Sequence, residues 1–163
     1  MKPTIYFATD HAGFALKEAL VPFVRDELGY AVVDCGARQL NVDDDYPDFV
    51  GEAARQISNR PTDRAIILGG SGQGEAMAAN RFLNVRAAVF YGQPARSPRD
   101  AGGVELGLLQ ASRAHNDANV LSLGARFLSV EDAKGAVALW LGANFSGDER
   151  HARRIKKLEQ LRR

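Results

Sequence analysis

A four-residue apolar run, Ala65-Ile66-Ile67-Leu68, passes without interruption into Gly69-Gly70-Ser71-Gly72-Gln73-Gly74-Glu75. This junction constrains the fold more than any other stretch. A short, wholly apolar run closed by glycine has the pattern of a buried strand. The glycines that follow point bare backbone N–H groups at an anion near a helix start. Two common readings of such a loop fail on its residues. A nucleotide-binding P-loop has Lys after its last glycine, then Ser or Thr; this chain has Glu75 and Ala76. The dinucleotide spacing Gly-x-Gly-x-x-Gly, begun at Gly70, requires glycine where Glu75 stands. The loop therefore joins an anion-binding backbone to a carboxylate. That pairing suits a base beside an oxyanion hole better than a cradle for phosphates.

The rest of the chain alternates between strand and helix patterns. Thr4–Ala8, Ala31–Asp34, Ala65–Leu68, Arg86–Tyr91 and Val120–Leu123 read as strands. Helical periodicity covers Gly13–Glu27, a segment from Pro47 to about Asn59, Glu75–Asn80, Val130–Ala143 and Glu149–Arg163, with Pro47 at a first helical position and Ser129 as a cap. A further helix carries His115. Strands alternating with helices imply parallel β-α-β units. The expected fold is α/β: a three-layer, Rossmann-like, doubly wound sheet of five parallel strands. At 163 residues it forms one domain, 1–163. Gly92–Gly103, with two Pro and three Gly, reads as a long irregular loop, a kind of segment that is usually functional or mobile.

Composition narrows the class. Hydrophobic residues make up 45% and charged residues 25%, as in soluble globular proteins. No apolar run approaches the roughly 20 residues that span a bilayer, and the N-terminus has no signal-peptide pattern. The single Cys35 excludes an internal disulfide framework and fits a reducing cytoplasm. The net charge of +1 hides an asymmetry: Glu149–Arg163 holds seven Lys or Arg and two Glu. That basic helix lacks interleaved aromatics, which argues against single-strand nucleic-acid stacking.

In an open parallel sheet, ligands bind beyond the carboxyl ends of the strands. Thr9-Asp10-His11 and the glycine loop both fall there. Taken alone, Asp10 is as readable as a helix N-cap, His11 as a surface residue, and Glu75 as a carboxylate favoured by a helix dipole. Together they place an acid, an imidazole and a base around a backbone anion hole. His115-Asn116-Asp117 precedes a strand and belongs to the opposite edge. It is either structural or completes the site of a neighbouring subunit, as in an isologous dimer. Arg150 and Arg154, four apart, share a helical face and could clamp a phosphate; Arg126, after the fifth strand, is a third candidate.

These residues resemble the type B ribose-5-phosphate isomerases and the related galactose-6-phosphate and allose-6-phosphate isomerases. The resemblance rests on Thr9–Gly13, Asp44-Asp45-Tyr46-Pro47, Gly70–Glu75, Ala78-Ala79-Asn80, Arg113–Leu121 and Arg150–Arg154, in that order. It implies a cytoplasmic enzyme with no metal and no cofactor, at least dimeric, with sites shared between subunits and the C-terminal helix in oligomer contacts. One branch of the family has a Cys base at the position matching Gly69; this chain resembles the other branch, with a Glu base. The resemblance makes Glu75 the proton acceptor and His115 the ring-opening acid/base. Asp10, His11, Gly70, Ser71, Gly72, Gln73, Gly74, Asn116, Arg126, Arg150 and Arg154 become ligands of a sugar phosphate. It implies interconversion of ribose 5-phosphate and ribulose 5-phosphate. The alternatives are a hexose 6-phosphate substrate or a non-catalytic sugar-phosphate-binding subunit. Gly92–Gly103 is about a dozen residues longer than the family pattern. A flavodoxin-like phospho-receiver would need Asp at the end of the third strand, where this chain has Leu68-Gly69.

Overall fold

A computed structural model describes residues 2–93, 96, 99, 103 and 105–161. Five strands form one all-parallel sheet: β1 (Ile5–Thr9), β2 (Val32–Asp34), β3 (Arg64–Gly69), β4 (Ala87–Phe90) and β5 (Val120–Gly124). Six α-helices alternate with them: α1 (Phe14–Pro22), α2 (Tyr46–Asn59), α3 (Gln73–Ala79), α4 (Leu108–Asn116), α5 (Val130–Gly142) and α6 (Glu149–Gln160). The single helix expected over residues 13–27 is divided. A 3-10 turn at His11–Gly13 precedes α1, and a wider π turn at Phe23–Glu27 follows Pro22. Proline lacks the N–H that a regular ladder needs, so the ladder changes pitch there.

The strand order is β2-β1-β3-β5-β4. Ile5 pairs with Val32 on one side and Arg64 on the other, and Ala65 and Ala87 both pair with Val120. The central strands β1, β3 and β5 are buried, and alternate residues feed opposite faces. Ile5, Phe7, Ile66, Leu68, Leu121 and Leu123 pack on α1, α4 and α5. Tyr6, Ala8, Ala65, Ile67 and Val120 pack on α2 and α3. These two cores make the three layers. Trp140 of α5 is fully buried, and its indole N–H donates to Ser112 Oγ at 3.1 Å.

Helix α6 is attached more lightly. Its only buried residue is His151, and its far end is held by Glu159, which accepts from Arg86 Nη1 at 3.2 Å and from Asn84 N–H at 3.3 Å. Most of Gly92–Gly103 lies outside the described residues; within it, Arg99 Nη1 donates to Gly103 O at 3.1 Å. Among the described residues, no helix is long and apolar enough to cross a membrane.

Candidate active site

Chain direction reverses between β1 and β3. From β1 the chain moves outward to β2; from β3 it moves the other way. The carboxyl ends of β1 and β3 therefore open a crevice at the topological switch point. A cleft of about 390 Å³ lies there, lined by Asp10, His11, Ala12, Tyr46, Gly70, Ser71, Gly74, Glu75, Arg126 and Phe127. Each strand supplies part: Asp10 and His11 follow β1, the glycine loop follows β3, and Arg126 follows β5.

The loop is fixed by its carbonyls. Gly69 O and Gly70 O accept from the N–H of Ala125 (2.8 Å) and Arg126 (3.1 Å), and Gly72 O accepts from Ser122 Oγ at 2.6 Å. Gly72 has φ +76°, and a Cβ there would meet Leu123 C at 3.0 Å, so only glycine fits the turn into α3. Gly74 admits the Tyr46 hydroxyl, which would lie 2.8 Å from a Cβ at that position.

Glu75 sits in the first turn of α3 and is 5% exposed. Its carboxyl group folds back over Gly69, where an added Cβ would fall 1.6 Å from Oε1. Burial raises its pKa above the ordinary carboxylate value, and the Asp10 carboxylate adds to the rise. A buried carboxylate with a raised pKa, inside a cleft, has the character of a general base.

Asp10 serves the local fold and the cleft at once. It is the N-cap of the 3-10 turn, accepting from Ala12 N–H at 2.9 Å, and it is buried. His11 is held by Asp44: Oδ1 accepts from the His11 backbone N–H and contacts Nδ1, both at 2.8 Å. The hydrogen bond to Asp44 raises the His11 pKa against a smaller effect of desolvation. Asp10, His11 and Asp44 each offer a ligand atom within 4.8 Å of the others, which makes them the described residues able to hold a cation. The Nδ1–Asp44 contact already engages the ring nitrogen, and the group reads as an ion pair.

The other expected site residues form a second cluster at the far edge of the sheet. His115, in the last turn of α4, packs against His151 of α6, with ring centroids 4.3 Å apart and the planes tilted by 42°. Burial, then His115 and Arg150, hold the His151 imidazole below its ordinary pKa, and Ser146 Oγ contacts its Nδ1 at 3.1 Å. Asn116 and Arg154 line a larger hollow of about 620 Å³ with Arg86, Ile155 and Leu158. Arg150 pairs with Asp148 at 3.4 Å. None of these four lines the Glu75 cleft.

The expected ligands are thus divided. Asp10, His11, Gly70, Ser71, Gly74, Glu75 and Arg126 share one cleft. Gly72 faces β5, and Gln73 borders a separate hollow with Tyr91 and Leu108. Within the Arg113–Leu121 motif, several residues are structural. Arg113 binds Asp117 (2.8 Å) and Ala118 O (2.5 Å), and Asn119 Oδ1 accepts from Arg86 N–H at 2.8 Å. Tyr46 and Phe127 line the cleft without having been singled out in the sequence, although Tyr46 stands in one of the motifs. Tyr46 reaches Gly74 from a different part of the chain, and periodicity carries no signal for such a contact.

A doubly wound sheet with a buried carboxylate and an anion-binding loop at its switch point defines a class: α/β enzymes that move protons on anionic substrates. The ribose/galactose isomerase family model matches residues 5–101 and 104–158. A ribose-5-phosphate isomerase B of Mycolicibacterium paratuberculosis is 35% identical over 159 residues, covering 98% of this chain and 91% of that protein. The Escherichia coli ribose-5-phosphate isomerase B is 35% identical over 157 residues, covering 96% and 95%. The crystal structure of ribose-5-phosphate isomerase B from Mycoplasma genitalium with bound ribulose-5-phosphate superposes with a TM-score of 0.84 at 33% identity, covering 99% and 97% of the two chains. The chain belongs to the ribose/galactose isomerase family.

Proposed function

We propose that the chain is an aldose–ketose isomerase interconverting ribose 5-phosphate and ribulose 5-phosphate through a cis-enediolate, with Glu75 as the base. The observation carrying this reading is the Glu75 carboxyl group, buried over Gly69 with raised pKa beside a glycine loop and Arg126. Full-length similarity to ribose-5-phosphate isomerases B, one of them holding ribulose-5-phosphate, favours the pentose over a galactose-type hexose.

Such sugars are mostly cyclic, so a proton must first be moved at the ring oxygen. We assign that step to His115. In one chain His115 lies against His151, outside the Glu75 cleft. The reading therefore needs a second subunit that brings His115, Asn116 and the α6 arginines to this cleft, in a homodimer or larger assembly. Once the sugar is open, Glu75 takes the proton from C2. The C–H electron pair becomes the C1–C2 double bond, and the carbonyl oxygen at C1 takes the negative charge. The amides of residues 70–74 and the N-terminus of α3 stabilise that oxygen; one such donor is worth about 3–4 kcal/mol in a transition state. The C2 hydroxyl proton passes to the C1 oxygen, which leaves the negative charge on the C2 oxygen. Glu75 then delivers its proton to C1, and the C2 oxygen becomes the new carbonyl. Adjacency of the two carbons lets one carboxylate serve both. Arg126, with Arg150 and Arg154, holds the phosphate, so binding far from the reacting carbons orients them. No step calls for a metal or cofactor. A cytoplasmic setting fits a phosphorylated substrate.

The test is ketose formation by the purified protein from a panel of aldose 5- and 6-phosphates. Ribose 5-phosphate is expected to have the highest kcat/KM. Turnover of a hexose 6-phosphate alone would move the substrate to the other branch, and no turnover at all would favour a binding subunit.

A further inference from the structure

Asp44 is nine-tenths buried at its side chain, yet it does not line the cleft. Its carboxylate serves one residue. Oδ1 takes both the His11 backbone N–H and the Nδ1 contact, at 2.8 Å each, while Oδ2 is buried with no hydrogen-bond partner among the described residues. A buried carboxylate with one oxygen unpartnered is costly to the fold. The segment carrying it is also anchored. At its start, Ala37 N–H donates to Thr9 O (3.1 Å), and the buried Lys17 Nζ donates to Ala37 O (3.0 Å). At its end, Asp45 is the N-cap of α2, and Tyr46 reaches Gly74. One loop thus delivers Asp44 behind His11 and Tyr46 to the cleft wall.

We propose that Asp44 is a positioning residue for the isomerase: its buried carboxylate takes the His11 Nδ1–H and fixes the ring, so that the protonated ring turns Nε2–H to the anionic end of the sugar phosphate. The proposal rests on the isomerase reading above. A carboxylate at Nδ1 accepts the Nδ1–H, so the outward Nε2 is an acceptor in the neutral ring and a donor once the ring is protonated. The charged groups facing His11 are the carboxylates of Asp10, Asp44 and Glu75 and the guanidinium of Arg126, with the Tyr46 hydroxyl nearby. The Asp44 hydrogen bond is the largest influence on His11 and raises its pKa.

The decisive variant is Asp44→Asn, which keeps an acceptor for the backbone N–H and removes the charge. Losing a charge-assisted hydrogen bond to substrate should raise KM for ribose 5-phosphate about ten- to a hundredfold, with kcat changed little. The alkaline limb of 1/KM should move to lower pH, because His11 loses its proton earlier. NMR titration of the His11 ring, assigned through His11→Gln, should show the same downward shift. Adding Asp44→Asn to His11→Gln should raise KM no further. An unchanged His11 titration, or a full Asp44→Asn effect in the His11→Gln background, overturns the proposal. If Asp44→Asn fails to fold, the titration in Asp44→Glu decides instead: a His11 pKa equal to wild type despite the displaced carboxylate counts against it, and a shifted one supports it. If wild type turns over no aldose 5- or 6-phosphate, the isomerase reading fails, and the His11 titrations with and without inorganic phosphate still decide the role of Asp44.

Discussion

The carboxyl group of Glu75 occupies the place that a side chain on Gly69 would take: an added Cβ falls 1.6 Å from Oε1 and 2.0 Å from Cδ. Residue 69 is the last of β3, and residue 75 is in the first turn of α3. The glycine therefore does more than ease a turn. It leaves a seat above the sheet in which the carboxylate is buried and its pKa raised.

Gly69→Ala should displace the Glu75 carboxyl group without straining the backbone, since Gly69 has no positive φ. We expect kcat to fall by about two to four orders of magnitude, the usual worth of a positioned general base, with a smaller change in KM. Steady-state kinetics check this, and a crystal structure of the variant should place the carboxyl group elsewhere.

Glu75→Gln should abolish isomerisation and also stabilise the protein at neutral pH. A carboxyl group whose folded pKa lies above its unfolded value contributes stability when protonated, below the unfolded pKa. That contribution is lost as pH rises through the folded pKa. The variant should therefore melt higher than wild type at pH 7–8, and the gap should close as pH falls below the ordinary Glu range, about 4. Thermal melts across this range measure it.

The proposed sharing of sites between subunits predicts complementation. Glu75→Gln and His115→Ala homo-oligomers should each be nearly inactive. After dissociation and random reassociation, half of the dimers are mixed and each mixed dimer holds one intact site, so activity should return to about a quarter of wild type. No recovery would place His115 and Glu75 in separate roles.

The central strands and the glycine loop were legible because their signals are local. Ala65–Leu68 is apolar throughout, and glycines at 69, 70, 72 and 74 mark the turn. The edge argument for His115 also held for a single chain, since its helix ends at the opposite side of the sheet from the Glu75 cleft. The strand order was not legible. Sequence order does not reveal that β5 inserts between β3 and β4, and that insertion is what brings Arg126 over Gly70, 3.2 Å from where its Cβ would be. The Asp44–His11 and Tyr46–Gly74 contacts were hidden for a related reason. They depend on the path of an irregular loop, and hydrophobic periodicity says nothing about such a path.

The central claim is that Glu75 carries a proton between adjacent sugar carbons, and solvent isotope exchange tests it most directly. Ribose 5-phosphate equilibrated with the enzyme in deuterium oxide should acquire deuterium at the carbon beside the carbonyl, while Glu75→Gln should leave it unlabelled under the same conditions. Wild-type exchange rates in Glu75→Gln would contradict the account.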